Sequence, residues 1–329
     1  MDADNLKYNY IIYGAPGYYE FGYHDISKVD YAVYYKSMYD TLDNSFAKLI
    51  MKLSYSKKVN SWINEPFCNI IYSQLCGYEF KKPKPICFLC FPNNFDYLRP
   101  SFLKFLRTRY PKCKIVFFLQ DLLKTKPYIS IEYIRENFDL ILDYDRGDCE
   151  AYGFTYHTTP MSCVDISLDS SIQESDIYFC GAAKSRYPII HEVYQNCLDS
   201  GLRCDFNLMQ MPINAPRCEG INYPKKLFGY KTNLQHIAKT KAIVEIMQEG
   251  ADGFTPRFWE SIVYDKHLFT NNKSVFDSPL YDPSTMHHIS LLKEPSAIQD
   301  VLNTTVHHSS SVKRKLSPLR LLKFIDNIL

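Results

Sequence analysis

Short, largely apolar runs recur along this chain, each separated from the next by a longer amphipathic stretch. Tyr8–Tyr13, Ile86–Phe91 and Lys114–Leu119 lie in the first half; Asp176–Cys180, Cys204–Met209, Ala242–Met247 and His267–Thr270 lie in the second. Runs of this length, rich in Ile, Val, Phe and Tyr, read as strands. Most have no polar residue on alternate positions and need cover on both faces. The stretches between them have helical spacing. Pro100–Arg109 places Phe102, Leu103, Phe105 and Leu106 on one face, and Tyr187–Asp199 has Pro188 in its first turn and Gly201 just beyond its end. Tyr31–Leu53, Ile129–Asn137, Gly147–Tyr152, Lys231–Ala238 and a segment from about Pro256 to Tyr264 read as further helices, and Leu140–Leu142 as a short strand. Strand and helix in alternation predict a parallel α/β sheet.

The alternation stops at a polar connector, His157–Asp169, and then restarts. Two tandem units of this kind make two Rossmann-like domains with a cleft between them, over 1–160 and 161–310. In such sheets ligands bind beyond the carboxyl ends of the strands, so the loops there are where chemistry is to be sought. A tail follows over 311–329: Val312-Lys-Arg-Lys315, Pro318, then Leu319, Leu322, Phe324, Ile325 and Leu329 interleaved with charge. It reads as a basic amphipathic helix that either packs back on the body or touches an anionic membrane surface.

Composition sets outer limits. The 329 residues fit two domains of about 150 each. A net charge of +2 supplies no general field for nucleic acid, and the basic runs Lys81-Lys-Pro-Lys84 and Lys313-Arg-Lys315 are short and separate, so no nucleic-acid partner is expected. The 11 cysteines are scattered and odd in number, and Cys87, Cys90, Cys113, Cys180 and Cys204 lie in or beside apolar runs, which fits reduced thiols and a cytoplasmic chain. Cys87 and Cys90 have C-x-x-C spacing but sit in an apparent buried strand with no second ligand pair, so no metal site is expected there. Asp143-Tyr-Asp145 has a metal-binding spacing too, but follows a short first-domain strand. No stretch reaches the ~18 apolar residues of a membrane span, and Met1-Asp-Ala-Asp4 is unlike a signal peptide.

The chemistry-bearing segment is Glu245–Glu260. A strand enters a loop holding Gln248, Gly250 and Gly253; Phe254 and an N-cap Thr255 follow, then Pro256 at the first helical position. Such a helix start offers free N–H groups and a positive dipole end to a diphosphate. Arg257 suits phosphate through its planar fork, and Glu260, a turn later, suits ribose hydroxyls. An ordinary capped helix with an Arg257–Glu260 ion pair explains the same residues. Gly181-Ala-Ala-Lys-Ser-Arg186 is a second strand-to-helix turn; Gly181, Lys184 and Arg186 suit a pyrophosphate, although the G-x-G-x-x-G fingerprint is absent.

Asp176–Tyr187, Lys241–Ser261 and Lys266-His-Leu-Phe-Thr-Asn-Asn272 together resemble the donor domain of bacterial capsule, exopolysaccharide and lipopolysaccharide glycosyltransferases of the GT-B type. Gln248, Gly250, Gly253, Thr255, Arg257, Glu260, Lys266, Thr270, Asn271 and Asn272 carry the family pattern, and His267 departs from it. Asp121 and Phe138–Asp145 resemble the end of the acceptor domain. The likeness is good over about 110–275 and weak over the first 100 residues. It implies a soluble GT-B enzyme in which the second domain holds a nucleotide-diphosphate sugar, UDP-sugar by default, with no metal or other cofactor. It also implies that Lys184, Arg186 and the Thr255–Arg257 helix start hold the diphosphate, and that Glu260 holds the ribose or the sugar. The acceptor would be a growing surface polysaccharide or lipid-linked glycan, which places the enzyme in the cytoplasm or peripherally on the inner membrane face.

An inverting transfer needs a base near the acceptor hydroxyl. His24 and Asp25, after the Gly14–Gly22 loop, and Asp121, after a first-domain strand, are the catalytic candidates. An epimerase or hydrolase on the same fold, and a non-catalytic scaffold, remain open at this stage.

Overall fold

The computed structural model describes residues 5–37, 42, 45–46, 48–49, 72, 78–92, 99–226, 228–248 and 253–329. The chain folds as two compact units, Met1–Pro160 together with Ser317–Leu329, and Met161–Leu316.

Unit 1 holds a six-stranded sheet: β1 (Asn9–Tyr13), β2 (Ala32–Tyr35), β3 (Ile86–Cys90), β4 (Lys114–Leu119), β5 (Leu140–Asp143) and β6 (Thr155–Tyr156). The order is β2-β1-β3-β4-β5-β6, and every pair is parallel, with Ile11 opposite Phe88 and Leu89 opposite Val116. Side chains alternate across a strand, so each run fills two cores. Ile11, Tyr13, Phe88, Cys90, Ile115 and Phe117 face α1 (Pro100–Arg109) and α2 (Ile131–Asn137); Tyr10, Ile12, Cys87, Leu89, Val116 and Phe118 face the other way. Cys87 and Cys90 are thus packing residues in a strand. A third helix, α3 (Arg146–Tyr152), is capped by Asp145 and stopped by Gly153 at φ +67°.

Unit 2 holds β7 (Ser175–Ala182), β8 (Cys204–Met209), β9 (Thr240–Glu245), β10 (His267–Thr270) and β11 (Met286–His288), in the order β11-β10-β9-β7-β8, again parallel. Its helices include α4 (Tyr187–Asp199), α5 (Tyr230–Ala238), α6 (Pro256–Val263), α7 (Pro295–Leu302) and α8 (Ser310–Leu316). α9 (Pro318–Ile328) closes the chain.

Two expectations are corrected. The helix expected over Tyr31–Leu53 begins instead with β2, whose Ala32-Val-Tyr-Tyr35 run is β-branched and aromatic and pairs with β1 at the sheet edge; much of the remainder lies outside the described residues. The single amphipathic helix expected over 311–329 is two. Pro318 has no N–H to continue a helix, and Ser317 Oγ accepts from the Leu319 N–H to start a new one. α8 belongs to unit 2 and α9 to unit 1. α9 packs back on the body: Leu321, Leu322 and Ile325 are fully buried in the second core of unit 1.

Candidate functional site

Strand order reverses in both sheets. β7 lies between β8 and β9, and β1 between β2 and β3, so connections depart to opposite sides from adjacent strands. That is where open parallel sheets take ligands. In unit 2 the position is bounded by Gly181–Arg186, where β7 ends, and by Gly253–Arg257 at the start of α6.

Two guanidinium groups meet there. Arg257 donates through Nη2 to the Cys180 carbonyl, and its Cζ lies 5.1 Å from the Phe179 ring centroid. Arg186 donates through Nη1 to the Ile246 carbonyl at 2.5 Å and through Nη2 to the Ala182 carbonyl, with its Cζ 6.0 Å from the same ring. Neither makes an ion pair among the described residues. Arg186 is buried, and burial, with Arg257 beside it, pulls its guanidinium down to about 10, so it stays charged at neutral pH. Gly181 permits the arrangement, since a Cβ there would meet Arg257 Nη2 at 2.7 Å. Lys184 is exposed, with φ +48°, and its N–H donates to the Gln210 carbonyl at 3.0 Å.

The start of α6 rests on a buried carboxyl. Thr255 Oγ1 accepts from the Arg257 N–H at 3.2 Å and donates to Glu245, and Thr270 Oγ1 donates to Glu245 Oε2 at 2.5 Å. Asn272 donates to the Gly253 carbonyl at 2.8 Å, and Asn271 Oδ1 accepts from the Met247 N–H at 2.8 Å. Gly253 sits at φ +124°, which L side chains rarely adopt. Burial pushes the Glu245 carboxyl up, against the downward pull of Thr255, Thr270 and Arg257. Phe254 lies in an aromatic cluster, 4.6 Å from Phe258 and 5.1 Å from Trp259 between ring centroids. It staples the helix start rather than facing solvent.

Glu260, one turn into α6, is 3% exposed. Its Oε1 accepts from Tyr230 Oη at 2.6 Å and Asn233 Nδ2 at 3.2 Å, and Asn233 Oδ1 accepts from Tyr178 Oη at 2.9 Å. Burial raises this carboxyl too, opposed by Tyr230, Arg257 and Asn233. No direct Arg257–Glu260 ion pair forms. Gln248 is exposed, and Gly250 lies outside the described residues. Lys266 is turned to structure: its Nζ donates to the Ala238 and Thr240 carbonyls at 3.1 and 2.7 Å.

In unit 1 the catalytic candidates follow strand carboxyl ends. His24 opens a short 3-10 turn after β1 and is exposed. Asp25 is committed elsewhere, accepting from Lys28 Nζ at 2.8 Å and Ser317 Oγ at 2.6 Å. Asp121, after β4, accepts from the Leu122 N–H at 3.0 Å and pairs with Lys126 at 3.0 Å, with 47% of its side chain exposed. Asp143 is fully buried, its Oδ2 has no hydrogen-bond partner among the described residues, and burial pushes it up to about 8. Asp145 caps α3 by accepting from the Asp148 N–H at 3.0 Å. Among the described residues no three His, Cys, Asp or Glu side chains are grouped to hold a metal ion.

Four functional-looking residues escaped sequence reasoning as site members: Glu245, Tyr178, Tyr230 and Asn233. The first had a signal, a lone carboxylate in the apolar Ala242–Met247 run. The other three converge on Glu260 only through tertiary structure.

No family model matches the chain, and no curated protein does. Among solved structures, a trehalose-6-phosphate synthase is similar with a TM-score of 0.51 and 9% identity, over 96% of this chain and 95% of that one. A UDP-forming α,α-trehalose-phosphate synthase from Burkholderia xenovorans gives 0.48 and 10%, over 97% of each chain. An α-glucosyltransferase in complex with UDP-glucose and DNA containing an abasic site gives 0.47 and 10%, over 95% of this chain and 99% of that one. Two parallel Rossmann-like sheets, matched along almost the whole chain by the first of these, give this protein the GT-B fold.

Proposed function

We propose that the protein is a glycosyltransferase of the capsule, exopolysaccharide and lipopolysaccharide type. It takes a sugar from a nucleotide-diphosphate sugar, UDP-sugar in preference, and passes it to a hydroxyl of a growing surface polysaccharide or lipid-linked glycan. The observation that carries this reading is the Arg186–Arg257 pair. Two guanidinium groups converge at the carboxyl end of β7, beside a capped helix start, and are held only by backbone carbonyls among the described residues. Cations without a carboxylate partner are a receptor for a diphosphate.

In this reading Arg186, Arg257 and Lys184 hold the diphosphate and offset the charge that develops on it as the glycosidic bond breaks, so that no metal ion is needed. Glu260, oriented by Tyr230 and Asn233, accepts from the ribose hydroxyls. Acceptor activation falls to unit 1, where His24 and Asp121 have more freedom than Asp25. The enzyme works in the cytoplasm, and the exposed basic residues Arg314 and Lys315 are what it offers to an anionic membrane surface. No helix among the described residues is long and apolar enough to cross one.

Calorimetric titration with UDP, GDP, CDP, ADP and TDP, each in EDTA and in Mg²⁺, tests the donor site. One diphosphate should bind selectively and equally well in both. At about 100-fold over its dissociation constant it should raise apparent stability by about 2.7 kcal/mol. Arg257→Ala should weaken binding by roughly 10- to 100-fold while melting cooperatively, the loss of a charged hydrogen-bonding group. Silence from all five diphosphates would reject the proposal.

A further inference from the structure

Away from the donor site, the segment after β8 lays a cysteine against α4. His191 and Gln195 are four residues apart on that helix and so share one face. Cys218 Sγ lies 3.3 Å from His191 Nε2 and 3.3 Å from Gln195 Nε2. The segment is pinned on both sides of the thiol. Tyr187 Oη donates to the Pro216 carbonyl, Tyr194 Oη donates to the Glu219 carbonyl at 3.0 Å, and the Cys218 N–H donates to Tyr223 Oη at 2.8 Å. Cys218, His191 and Gln195 are each partly accessible.

Among the described residues, seven other cysteines are placed differently, and Cys180 lies half-buried at the donor site. Cys87, Cys90 and Cys197 are buried, and burial pushes the thiols of Cys87 and Cys90 up. Cys113, Cys149, Cys163 and Cys204 direct their sulfur at backbone carbonyls. A carbonyl cannot take a thiol proton, whereas an imidazole nitrogen can.

We propose that Cys218 is a reactive thiol that undergoes exchange with small disulfides of the glutathione class, with His191 as its proton acceptor. As Cys218 Sγ attacks one sulfur of the disulfide, its proton passes to His191 Nε2. A new S–S bond forms to that sulfur, the original S–S bond breaks, and the departing thiolate recovers the proton. One disulfide is consumed and one made, with no other oxidant. Gln195, donating its amide N–H to sulfur, favours the negative charge on Sγ at the moment of attack. The chemistry is that of an activated nucleophile beside its base, and it does not depend on the donor reading.

The test uses the reduced full-length chain, limiting glutathione disulfide, an acid quench and peptide-resolved mass spectrometry, giving an initial rate for each cysteine. Cys163, which is exposed, is the internal reference. Cys218 should react at least ~10-fold faster than Cys163, and His191→Ala should remove most of that advantage without changing the Cys163 rate. Gln195→Leu should remove a smaller part. Equal rates at Cys218 and Cys163 in the wild type, or an unchanged Cys218 rate in His191→Ala, would overturn the proposal. If His191→Ala does not melt cooperatively, His191→Gln decides: it should lower the Cys218 rate toward that of Cys163, and an unchanged rate rejects the base.

Discussion

Gly181 separates binding from stability more cleanly than any other position in the donor site. A methyl group there meets the tip of the Arg257 side chain at 2.7 Å, and no backbone atom comes as near. The long, flexible arginine can move away at little cost to the fold. It cannot do so and keep its bond to the Cys180 carbonyl or its place over Phe179. Gly181→Ala should therefore leave the melting temperature within ~2 °C of wild type yet weaken binding of the selected nucleoside diphosphate by about 10-fold, the share of one displaced charged hydrogen bond. Arg257→Lys should fall between that variant and Arg257→Ala, since it keeps the charge but loses the planar fork. Calorimetry beside a thermal melt reads both quantities, and a Gly181→Ala protein that melts early with unchanged affinity would show that the glycine serves packing alone. The sequence made the cations visible here, because Lys184, Arg186 and Arg257 sit at strand-to-helix turns. It could not show that Arg186 and Arg257 share one aromatic ring, or that Phe254 is a packing residue, because both depend on contacts between segments about 70 residues apart or on a side-chain direction.

At the scale of elements, most of the strands that sequence reasoning located are buried on both faces, the edge strand β8 being an exception. Ile86–Cys90 and Lys114–Leu119 carry an uninterrupted apolar signal because each supplies two cores. The ones it missed are edges or near-edges. β2 has one buried and three half-buried residues, β6 has two residues, and β11 is Met286-His-His288. A strand that buries little need not be apolar, so its pattern is faint. The tail shows the converse, a strong amphipathic pattern with an ambiguous destination. Packing resolves it. Leu321, Leu322 and Ile325 fill the core of unit 1, and Asp326 accepts from the Lys7 N–H at 2.9 Å, the Tyr8 N–H at 3.2 Å and Tyr10 Oη at 3.0 Å. α9 is thereby tied to the first strand of the sheet it covers. Leu322→Ala should cost about 2–5 kcal/mol, as a buried leucine does when its cavity stays open. It should leave co-sedimentation with anionic vesicles unchanged, because that face is already used. A variant that keeps its stability but loses vesicle binding would mean that α9 leaves the core to meet a membrane.

For the molecule as a whole, both units bury histidines and carboxyls, whose pH dependences have opposite signs: burial lowers His157 and raises Asp143 in unit 1, and raises Glu245 and Glu260 in unit 2. Unit 2 gathers His267, His287 and His308. The first two rings are 5.6 Å apart between centroids, and His308 Nδ1 is 3.4 Å from Asp265 Oδ1. His267 Nδ1, His287 Nε2 and His308 Nε2 are buried without a hydrogen-bond partner among the described residues. Burial pulls all three histidines down, His287 to about 4 with His267 adding to the effect, while Asp265 opposes the shift at His308. These rings are neutral in both states above their ordinary value of about 6.5. Below it the unfolded chain takes up protons that the folded unit refuses, so stability is lost as pH falls from about 6.5 toward about 4. Asp143 in unit 1 behaves in the opposite sense. Burial raises its carboxyl to about 8, so its contribution is intact below the ordinary value of about 3.8 and is lost progressively as pH rises from there to about 8. Each unit has its own core, and the two need not melt together. The expected outcome is therefore selective by residue: His287 contributes to the loss below about pH 6.5, and Asp143 to the loss between about 3.8 and about 8. Hydrogen exchange resolved by peptide follows each unit. His287→Gln should reduce the loss as pH falls from about 6.5 toward about 4, and Asp143→Asn the loss as pH rises toward about 8. A variant that leaves its own limb unchanged would show that burial of that group does not set the pH dependence.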